Sequence, residues 1–493
     1  MSRRWWALVA VGLATFMTNL DNNIVNVAIP TIQRDLHLSV AGLEWVVSSY
    51  ILVFAGLLLV GGRLADVFGR RRLFLIGLVI FTLASLGAGL AGSSAVLIGA
   101  RVLQGLGAAL MVPTTLAIIV ATFDDPRERT RAVGAWAAIG AMALAFGPLI
   151  GGFISQHLHW GWIFLINVPF GAITMVVALL SVQESRAATG SRRLDVPGLT
   201  ASAVALFALT YALIEGHDRG WTSAVILGAL ALAAVAGGVF LAIENRSQQP
   251  MVDLALFRSR AFSGGTGTMM LWAFGIFGIY FFTSLYLQNV LGFSPTKAGL
   301  AFVPMALCLA LFAAISEPVS ARLGAHRTVA LGLALDAVGL FLFWLLGRNV
   351  SFAALLPGFI LFGAGSGLMN VPLTNAVLGS MPQERSGMAS ALLNNSREVA
   401  GLLGITVIGA VLRSRQGAAL HQGVLPGPAF LDGYHAGLAV TIGLIVVGVV
   451  VSYLALRRLP APAPAAPVPV PPAGHATPEL TNPNPGLTTP TRG

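Results

Sequence analysis

One acidic residue, Asp21, lies inside the first long apolar run of the chain, among four amides: Asn19, Asn22, Asn23 and Asn26. An ionisable side chain at membrane depth is costly unless it has a partner or faces water, so it marks a candidate functional site. A carboxyl group that alternates between exposure to two aqueous sides can take up and release a proton. The alternative is a structural acid that is hydrogen-bonded to the nearby amides.

A basic residue, Arg101, lies at a similar depth in the fourth apolar run. Asp21 precedes Pro30, at the outer end of the first run, by nine residues, which is roughly 13 Å along a helix. Arg101 follows Ala95, at the outer end of the fourth run, by six residues, or roughly 9 Å. Each charge therefore needs a partner or a water-filled cavity, and we expect both to take part in proton coupling. Arg101 could alternatively serve only to hold backbone carbonyls.

Two further acids, Asp336 and Glu398, lie near the middle of later apolar runs. Either could recognise a cationic substrate, serve as a second proton site or have a structural role. Arg397 adjoins Glu398, but neighbours on a helix point about 100° apart, so we do not expect them to pair. Amides in the same region are expected to face a cavity. The candidate substrate or second proton site comprises Asp336, Glu398, Asn22, Asn26, Asn394 and Asn395.

The elements that must position these residues are membrane spans. The chain has 493 residues, of which 56% are hydrophobic and 10% charged, whereas soluble domains carry about 25% charged residues. A helical span needs about 20 mostly apolar residues, and barrel strands would be shorter and alternating. The runs therefore predict fourteen transmembrane helices in an all-α protein, at roughly 6–30, 44–62, 73–92, 95–120, 132–154, 161–183, 196–215, 222–243, 262–288, 297–318, 327–346, 352–378, 387–411 and 435–456.

The basic residues predict how the chain is oriented. With both ends in the cytoplasm, 20 arginines fall in cytoplasmic segments and 6 Lys and Arg residues in outer segments, as the positive-inside rule requires. This bias explains the net charge of +10 without nucleic acid as a partner. Cys308 is the sole cysteine, so no intramolecular disulfide is possible.

An internal repeat indicates two similar halves. "QGLGAALMVPTTLAIIVATFDDPRERTRAVGA" starts in span four, and "FGAGSGLMNVPLTNAVLGSMPQERSGMASA" starts in span twelve. A shift of eight spans predicts two parallel six-helix bundles with two helices inserted between them, an arrangement typical of transporters with a site between the halves. The predicted regions are an N-terminal bundle, an inserted pair, a C-terminal bundle and a disordered, Pro-rich cytoplasmic tail, at 1–185, 186–260, 261–459 and 460–493.

The loop "GRLADVFGRRRLF" between spans two and three contains Gly62, Asp66, Gly69 and Arg70. Its glycines permit a sharp turn. Asp66 could pair with the arginines, or could meet the positive N-terminus of span thirteen and close the cytoplasmic side. The alternative, a simple positive-inside turn, explains the arginines but not the spacing of the glycines and the acid.

Span five contains "GAWAAIGAMALAFGPLIGGFI", with Gly147, Pro148, Gly151 and Gly152. Glycines spaced three or four apart let a helix pack closely on a neighbour, and proline bends it. The segment predicts either conformational gating or ordinary packing of small residues.

Five segments together resemble motifs of the Major Facilitator Superfamily. The loop after span two is similar to its signature loop, "LIGARVLQGLGAA" to its fourth-helix motif, and the span-five segment to its antiporter motif, with Ala143 where a glycine is usual. "LDNNIVNVAIP" and "HWGWIFLINVPFG" resemble motifs of its fourteen-span drug:proton antiporters, with Gly161 replacing a common arginine. The resemblance implies the superfamily fold and a gating role for the span-five motif.

The resemblance implies a proton-coupled antiporter that exports lipophilic or cationic drugs, including antibiotics, across a bacterial cytoplasmic membrane. Its partners would be the small substrate, protons and membrane lipids, and the chain would function as a monomer. We expect no cofactor, no catalysis and no metal, since His157 and His159 lack a third ligand nearby. The alternatives are an exporter of one metabolite or lipid, and a non-transporting receptor or scaffold that uses the Pro-rich tail.

Overall fold

The computed structural model describes residues 2–186, 195–247, 250, 252–381 and 386–457. Within these ranges the regular structure is helical, with a short 3₁₀ helix at Leu254–Arg258 and a π turn at Tyr286–Val290. The α-helices, numbered in chain order, are α1 (Arg3–Leu36), α2 (Val40–Phe68), α3 (Arg70–Gly89), α4 (Ser94–Thr122), α5 (Pro126–His157), α6 (Trp162–Leu165), α7 (Asn167–Ser181), α8 (Val196–Arg219), α9 (Ala224–Arg246), α10 (Arg260–Leu285), α11 (Pro295–Leu323), α12 (Ala325–Trp344), α13 (Phe352–Gly379), α14 (Ser386–His421) and α15 (Pro426–Leu456).

Every predicted span lies on helix, and the predicted all-α membrane fold is confirmed. The sixth span is divided into α6 and α7, and the ninth ends in the π turn. Within the described part of the chain, thirteen helices are long and apolar enough to cross a membrane. The 34-residue α1 supplies the fourteenth crossing, since the polar residues around Asp21 lower its hydropathy but not its length.

The two bundles repeat the same helix pairings. In the first, α4 packs against both α2 and α3, and α1 packs against α5. In the second, α13 packs against both α11 and α12, and α10 packs against α14. The structure therefore confirms two equivalent six-helix bundles. The predicted tail from Pro460 lies outside the described residues, and the region boundaries at 185, 260 and 459 stay predictions.

The repeated Gly-x-Gly has a packing reason in each bundle. A Cβ on Gly105 would lie 2.6 Å from the carbonyl oxygen of Tyr50 on α2, and one on Gly107 would lie 2.6 Å from the Phe81 nitrogen on α3. The equivalent Gly363 and Gly365 would meet α11 and α12 at 2.1 and 2.4 Å. The first glycine of each pair therefore allows one neighbouring helix to pack closely, and the second glycine allows another to do so.

The inserted helices form a hairpin that contacts both bundles. α8 packs on α9, and α8 also contacts α2 and α14. α9 buries little of its surface: in its most apolar stretch only 17% is buried. An apolar helix with so little burial is suited to a lipid-facing position. The described residues up to Arg457 belong to one compact unit.

The two bundles meet at the side that the basic residues predict to be outside. Gln288, after α10, donates to the Val27 carbonyl oxygen of α1 at 2.8 Å. Thr296 of α11 donates its backbone N–H to Gln156 of α5 at 3.1 Å and its hydroxyl to the Gly152 carbonyl oxygen at 3.3 Å. These contacts close the molecule at the side predicted to be outside.

Candidate functional site

Asp21 and Arg101 form an ion pair inside the first bundle. Arg101 Nη1 donates to Asp21 Oδ2, and both side chains are fully buried. Asp21 Oδ1 accepts from Gln104 Nε2 and from Asn167 Nδ2, each at 2.9 Å. The carboxylate of α1 is therefore held by donors from α4 and α7, and the expectation that each charge has a partner is confirmed.

Arg101 makes several contacts at once. Its Nε donates to the Val46 carbonyl oxygen on α2 at 3.0 Å, and its Nη1 donates to Gln104 Oε1 at 2.9 Å. The guanidinium carbon lies 4.3 Å from the centre of the Tyr50 ring, a cation–π contact. Arg101 therefore both pairs with Asp21 and holds a backbone carbonyl oxygen, and its part in proton coupling stays a prediction.

Sequence reasoning missed the other members of this network. Gln104 Nε2 also donates to Ser85 Oγ of α3 at 2.8 Å, so the network reaches α1, α3, α4 and α7. Gln104 and Asn167 both lie within segments that resemble superfamily motifs, which was the signal that could have identified them. Ser85 lies in no such segment.

The amides near Asp21 in sequence form different hydrogen bonds. Asn19 donates to the Gly140 carbonyl oxygen of α5 at 3.3 Å. Asn23 donates to the Asn19 carbonyl oxygen at 2.7 Å, and Asn26 donates to that of Asn22 at 3.1 Å. The idea that these amides satisfy Asp21 is therefore wrong, because the helix directs them to other faces of α1.

A cavity lies between the two bundles, beside the other face of α1. Its volume is about 110 Å³. The first bundle contributes amides of α1 and apolar side chains of α2, and the second contributes aromatic and aliphatic side chains of α10 and α14. The lining residues are Asn22, Asn23, Asn26, Val47, Ile51, Ile276, Phe277, Tyr280 and Ile405. Asn22 and Asn26 thus line a cavity, their role in binding substrate stays a prediction, and Asp21 lies on the same helix without entering this lining.

Asp336 lies in a separate polar cluster of the second bundle. It is fully buried, and Ser366 Oγ lies 3.1 Å from its Oδ1 and 3.3 Å from its Oδ2. Trp272 Nε1 donates to Ser366 Oγ at 3.2 Å. Asp336 is not among the residues that line the described cavity.

Arg397 and Glu398 do form an ion pair, contrary to the expectation for helix neighbours. Arg397 Nη2 lies 2.7 Å from Glu398 Oε1, and Arg397 Nε lies 3.2 Å from the same oxygen. The long arginine stem lets the guanidinium reach along the helix surface to the buried carboxylate, whatever the angle between the Cβ bonds. The prediction that they would not pair is wrong.

The amides of α14 were expected to face a cavity. Asn394 is exposed and donates to the Ser390 carbonyl oxygen of its own helix at 3.0 Å. Asn395 is partly buried, and its Oδ1 has no hydrogen-bond partner among the described residues. The residue of α14 that lines the described cavity is Ile405 instead.

The loop between α2 and α3 is built around Gly69 and Asp66. Gly69 has a φ of +115°, a conformation that side chains disfavour, which explains the glycine. Asp66 pairs with Arg70 at 3.0 Å. Glu184, just after the end of α7, accepts from the backbone N–H groups of Arg71 and Arg72 at 3.1 and 3.2 Å and so caps the start of α3.

Two other expectations for this loop have different outcomes. A Cβ on Gly62 would lie 3.5 Å from Pro113, an ordinary contact, so packing does not require that glycine. The side chains at the start of α14, the predicted partner of Asp66, lie outside the described residues. That contact stays a prediction.

The span-five motif lies at two helix contacts. Cβ atoms on Gly147 and Gly151 would lie 2.8 Å from Asn23 Cβ and 2.6 Å from the Ile24 carbonyl oxygen, so both glycines pack against α1. A Cβ on Gly152 would lie 2.4 Å from the carbonyl oxygen of Pro295 of α11, in the other bundle. Conversely, a Cβ on Gly299 of α11 would lie 2.2 Å from the Pro148 carbonyl oxygen of α5. The motif therefore joins the helix of Asp21 to the outer closure.

Comparison with known proteins agrees with this geometry. The sequence model of the Major Facilitator Superfamily matches residues 11–405. The multidrug resistance protein Stp of Mycobacterium tuberculosis (strain CDC 1551 / Oshkosh) is 39% identical over 413 residues, which are 84% of this chain and 76% of Stp. The tetracenomycin C resistance and export protein of Streptomyces glaucescens is 36% identical over 415 residues, 84% of this chain and 77% of that protein.

The fold also matches a solved structure. This is a bacterial homologue of the human lysosomal transporter Spinster, in an inward-facing and unoccupied conformation. The TM-score is 0.67 at 18% identity, covering 93% of this chain and 98% of that one. Taken with the matching sequence model and the two bundles, these likenesses establish that the chain belongs to the Major Facilitator Superfamily.

Proposed function

We propose that this protein is a proton-coupled antiporter that exports lipophilic or cationic drugs from the bacterial cytoplasm by alternating access. One observation carries the proposal. Asp21 of α1 is buried in an ion pair with Arg101 of α4, and the next residue of α1, Asn22, lines the cavity between the bundles. The names of the relatives support drug export: one refers to multidrug resistance, the other to resistance to and export of tetracenomycin C. No cofactor is needed, since a proton that crosses 100 mV carries about 2.3 kcal/mol.

The cavity lining favours lipophilic substrates that carry some polar groups. Phe277 and Tyr280 offer aromatic surface, and the aliphatic side chains offer dispersion contacts. Asn23 and Asn26 direct their N–H groups to backbone oxygens of α1, which leaves their carbonyl oxygens available as acceptors. Pockets of this composition bind ligands mainly by apolar contact, and a few polar groups fix their orientation.

Asp21 would couple the proton to movement of α1. Protonation removes the negative charge that pairs with Arg101, and a buried arginine without its partner is strongly destabilised. The energy difference favours a rearrangement of α1 relative to α4 and α7. The same helix carries Asn22 and Asn26, so proton uptake would change the cavity lining and help to release the substrate.

The second-bundle acids and the gating residues have supporting roles in this proposal. Asp336 and Glu398 remain candidates for a second proton site. The Asp66–Arg70 loop and the glycines of α5 would control the two ends of the cavity. The protein would act as a monomer with both termini in the cytoplasm, in contact with membrane lipids, and it would move its substrate without chemical change.

Asp21→Asn tests the proposal in inside-out vesicles, with a fluorescent lipophilic dye added to the medium that bathes the cytoplasmic face, so that export is measured as dye uptake into the vesicle. Export driven by a pH gradient should be abolished, because the amide cannot exchange a proton, while the protein remains folded in the membrane. Dye exchange without a gradient should persist. Asp35→Asn, the same substitution near the outer end of α1, is the control and should retain gradient-driven export. Full proton-driven export by Asp21→Asn would refute the proposed coupling.

Substrate breadth distinguishes the proposal from a narrower one. The name of the tetracenomycin relative gives a single compound, which favours an exporter of one metabolite as the second candidate. Several unrelated dyes should be exported by the wild type, and a protonophore should stop all of them. Export of a single compound from such a panel would favour the second candidate.

A further inference from the structure

A second buried ion pair joins the two bundles near their outer ends. Glu44, in the first turns of α2, accepts a hydrogen bond from Arg413 Nη1 of α14. The side chains are 0% and 5% exposed. Because α2 and α14 belong to different bundles, this contact must break whenever the bundles separate at that end.

The inserted helix α8 holds the arginine of this pair. Arg413 Nη2 donates to the carbonyl oxygens of Leu213 at 3.2 Å and Ile214 at 3.0 Å. The same part of α8 also contacts the first bundle: Trp45, next to Glu44, donates its indole N–H to Glu215 at 3.0 Å. Three separate units, the two bundles and the insertion, therefore converge on one guanidinium group.

The pair is closely packed but incompletely satisfied. A Cβ on Gly409 of α14 would lie 2.2 Å from Glu44 Oε1, so the glycine allows the carboxylate to approach the helix. Glu44 Oε2 and Arg413 Nε have no hydrogen-bond partner among the described residues. Burying two charges is repaid only when the remaining lone pairs and protons are also satisfied, so such a contact is easily exchanged for water when the interface opens.

We infer that Glu44 and Arg413 form a latch that holds the outer side closed, and that α8 is the fixed support that positions Arg413 for it. The inference rests on the alternating access of the proposed function. When the outer side opens, Glu44 and Trp45 move away with the first bundle, and the Trp45–Glu215 hydrogen bond breaks together with the ion pair. Arg413 stays on the carbonyl oxygens of α8, ready for the next closure. The inserted helices thereby act as part of the outer gate.

Accessibility of the cavity from outside tests the latch. The background is Cys308→Ser with Ile276→Cys, which places one thiol in the cavity lining on α10. The rate of labelling by a membrane-impermeant maleimide is measured on right-side-out vesicles without substrate or gradient. Glu44→Gln and Arg413→Met should each raise the rate by roughly tenfold, a coupling typical of conformational switches. Arg415→Met, an exposed arginine two residues along the same helix, should leave it unchanged.

A charge-conserving variant separates the latch from its support. Arg413→Lys keeps the charge for Glu44, but one ammonium group cannot also serve both carbonyl oxygens of α8 in the arginine geometry. Its labelling rate should lie between those of the wild type and Arg413→Met. A rate equal to wild type would overturn the role of α8.

The near-isosteric Glu44→Gln protects the test against misfolding of the arginine variants. Unchanged labelling in folded Glu44→Gln, judged by a single symmetric peak in size-exclusion chromatography, would overturn the latch. Labelling needs neither protons nor drug. The latch can therefore fail while Asp21-dependent export stands, and loss of the Asp21 mechanism would leave this assay intact.

Discussion

At the residue scale, the protein stabilises a buried charge pair by surrounding it with oriented donors. Asp21 receives hydrogen bonds from Arg101, Gln104 and Asn167, which lie on helices that pack around α1. A buried pair is stable only when its other hydrogen-bonding groups are also satisfied. The glutamine and asparagine therefore satisfy the second carboxylate oxygen of Asp21 and fix the geometry of the pair, while Arg101 Nη2 has no hydrogen-bond partner among the described residues.

Arg101→Lys should destabilise the folded protein by about 1–3 kcal/mol, since lysine cannot donate to Val46, Gln104 and Asp21 in the arginine geometry. The expected observation is a lower midpoint of thermal unfolding in detergent. Arg397→Lys is the matched control, because its side chain is 38% exposed. Equal shifts of the two midpoints would contradict a structural role for the Arg101 contacts.

At the element scale, glycine positions decide which helices can touch. The Gly-x-Gly repeat lets two neighbouring helices pack closely against α4, and two others against α13. The glycines of α5 allow close packing of α1 on one side and of α11 on the other. Since the α5–α11 contact crosses between bundles, close approach there belongs to the closed state of the outer side. The gating role predicted for the span-five motif therefore has a steric basis.

Gly152→Ala should slow drug export by at least roughly fivefold, because the methyl group would meet the Pro295 carbonyl oxygen at 2.4 Å and oppose outer closure. Initial export rates in vesicles measure the effect. Gly134→Ala, on the same helix with nothing within 4 Å of its Cβ, should behave as wild type. An equal effect of the two substitutions would point to helix α5 itself rather than to the contact.

At the scale of the whole molecule, the structure combines an outer closure with a cavity between the bundles. α1, α2 and α5 contact α10, α11 and α14, and the hydrogen bonds already described between the bundles lie on the predicted outer side. Alternating access requires these contacts to form and break in each cycle. A permanent link across them should therefore stop transport without altering either bundle.

Gln156→Cys with Thr296→Cys, in the Cys308→Ser background, provides such a link. These residues face each other across the closure, where the Thr296 N–H donates to Gln156 at 3.1 Å. A cleavable thiol cross-linker should abolish export, and reduction should restore it. Each single-cysteine variant with the same reagent is the control. Undiminished export by the cross-linked protein would show that these ends need not separate.

The amino-acid sequence by itself determined the number and positions of the spans, the repeat and the family. Lipid acts on each segment separately, so length and hydropathy suffice to identify a span. Counting residues from the ends of the spans also placed Asp21 and Arg101 at similar depth. In the loop after α2, the glycine spacing identified a turn that the φ of Gly69 confirms.

Only the tertiary structure decided which side chains meet. Asp21 accepts hydrogen bonds from Gln104 and Asn167, which are far from it in sequence, and not from the adjacent amides. From its position just after span thirteen, Arg413 is one of the six predicted outer basic residues, yet it is buried against Glu44 and α8. Hydropathy along the chain shows how much of a helix is apolar. The partner of a buried charge depends on how distant helices pack, which no local pattern records.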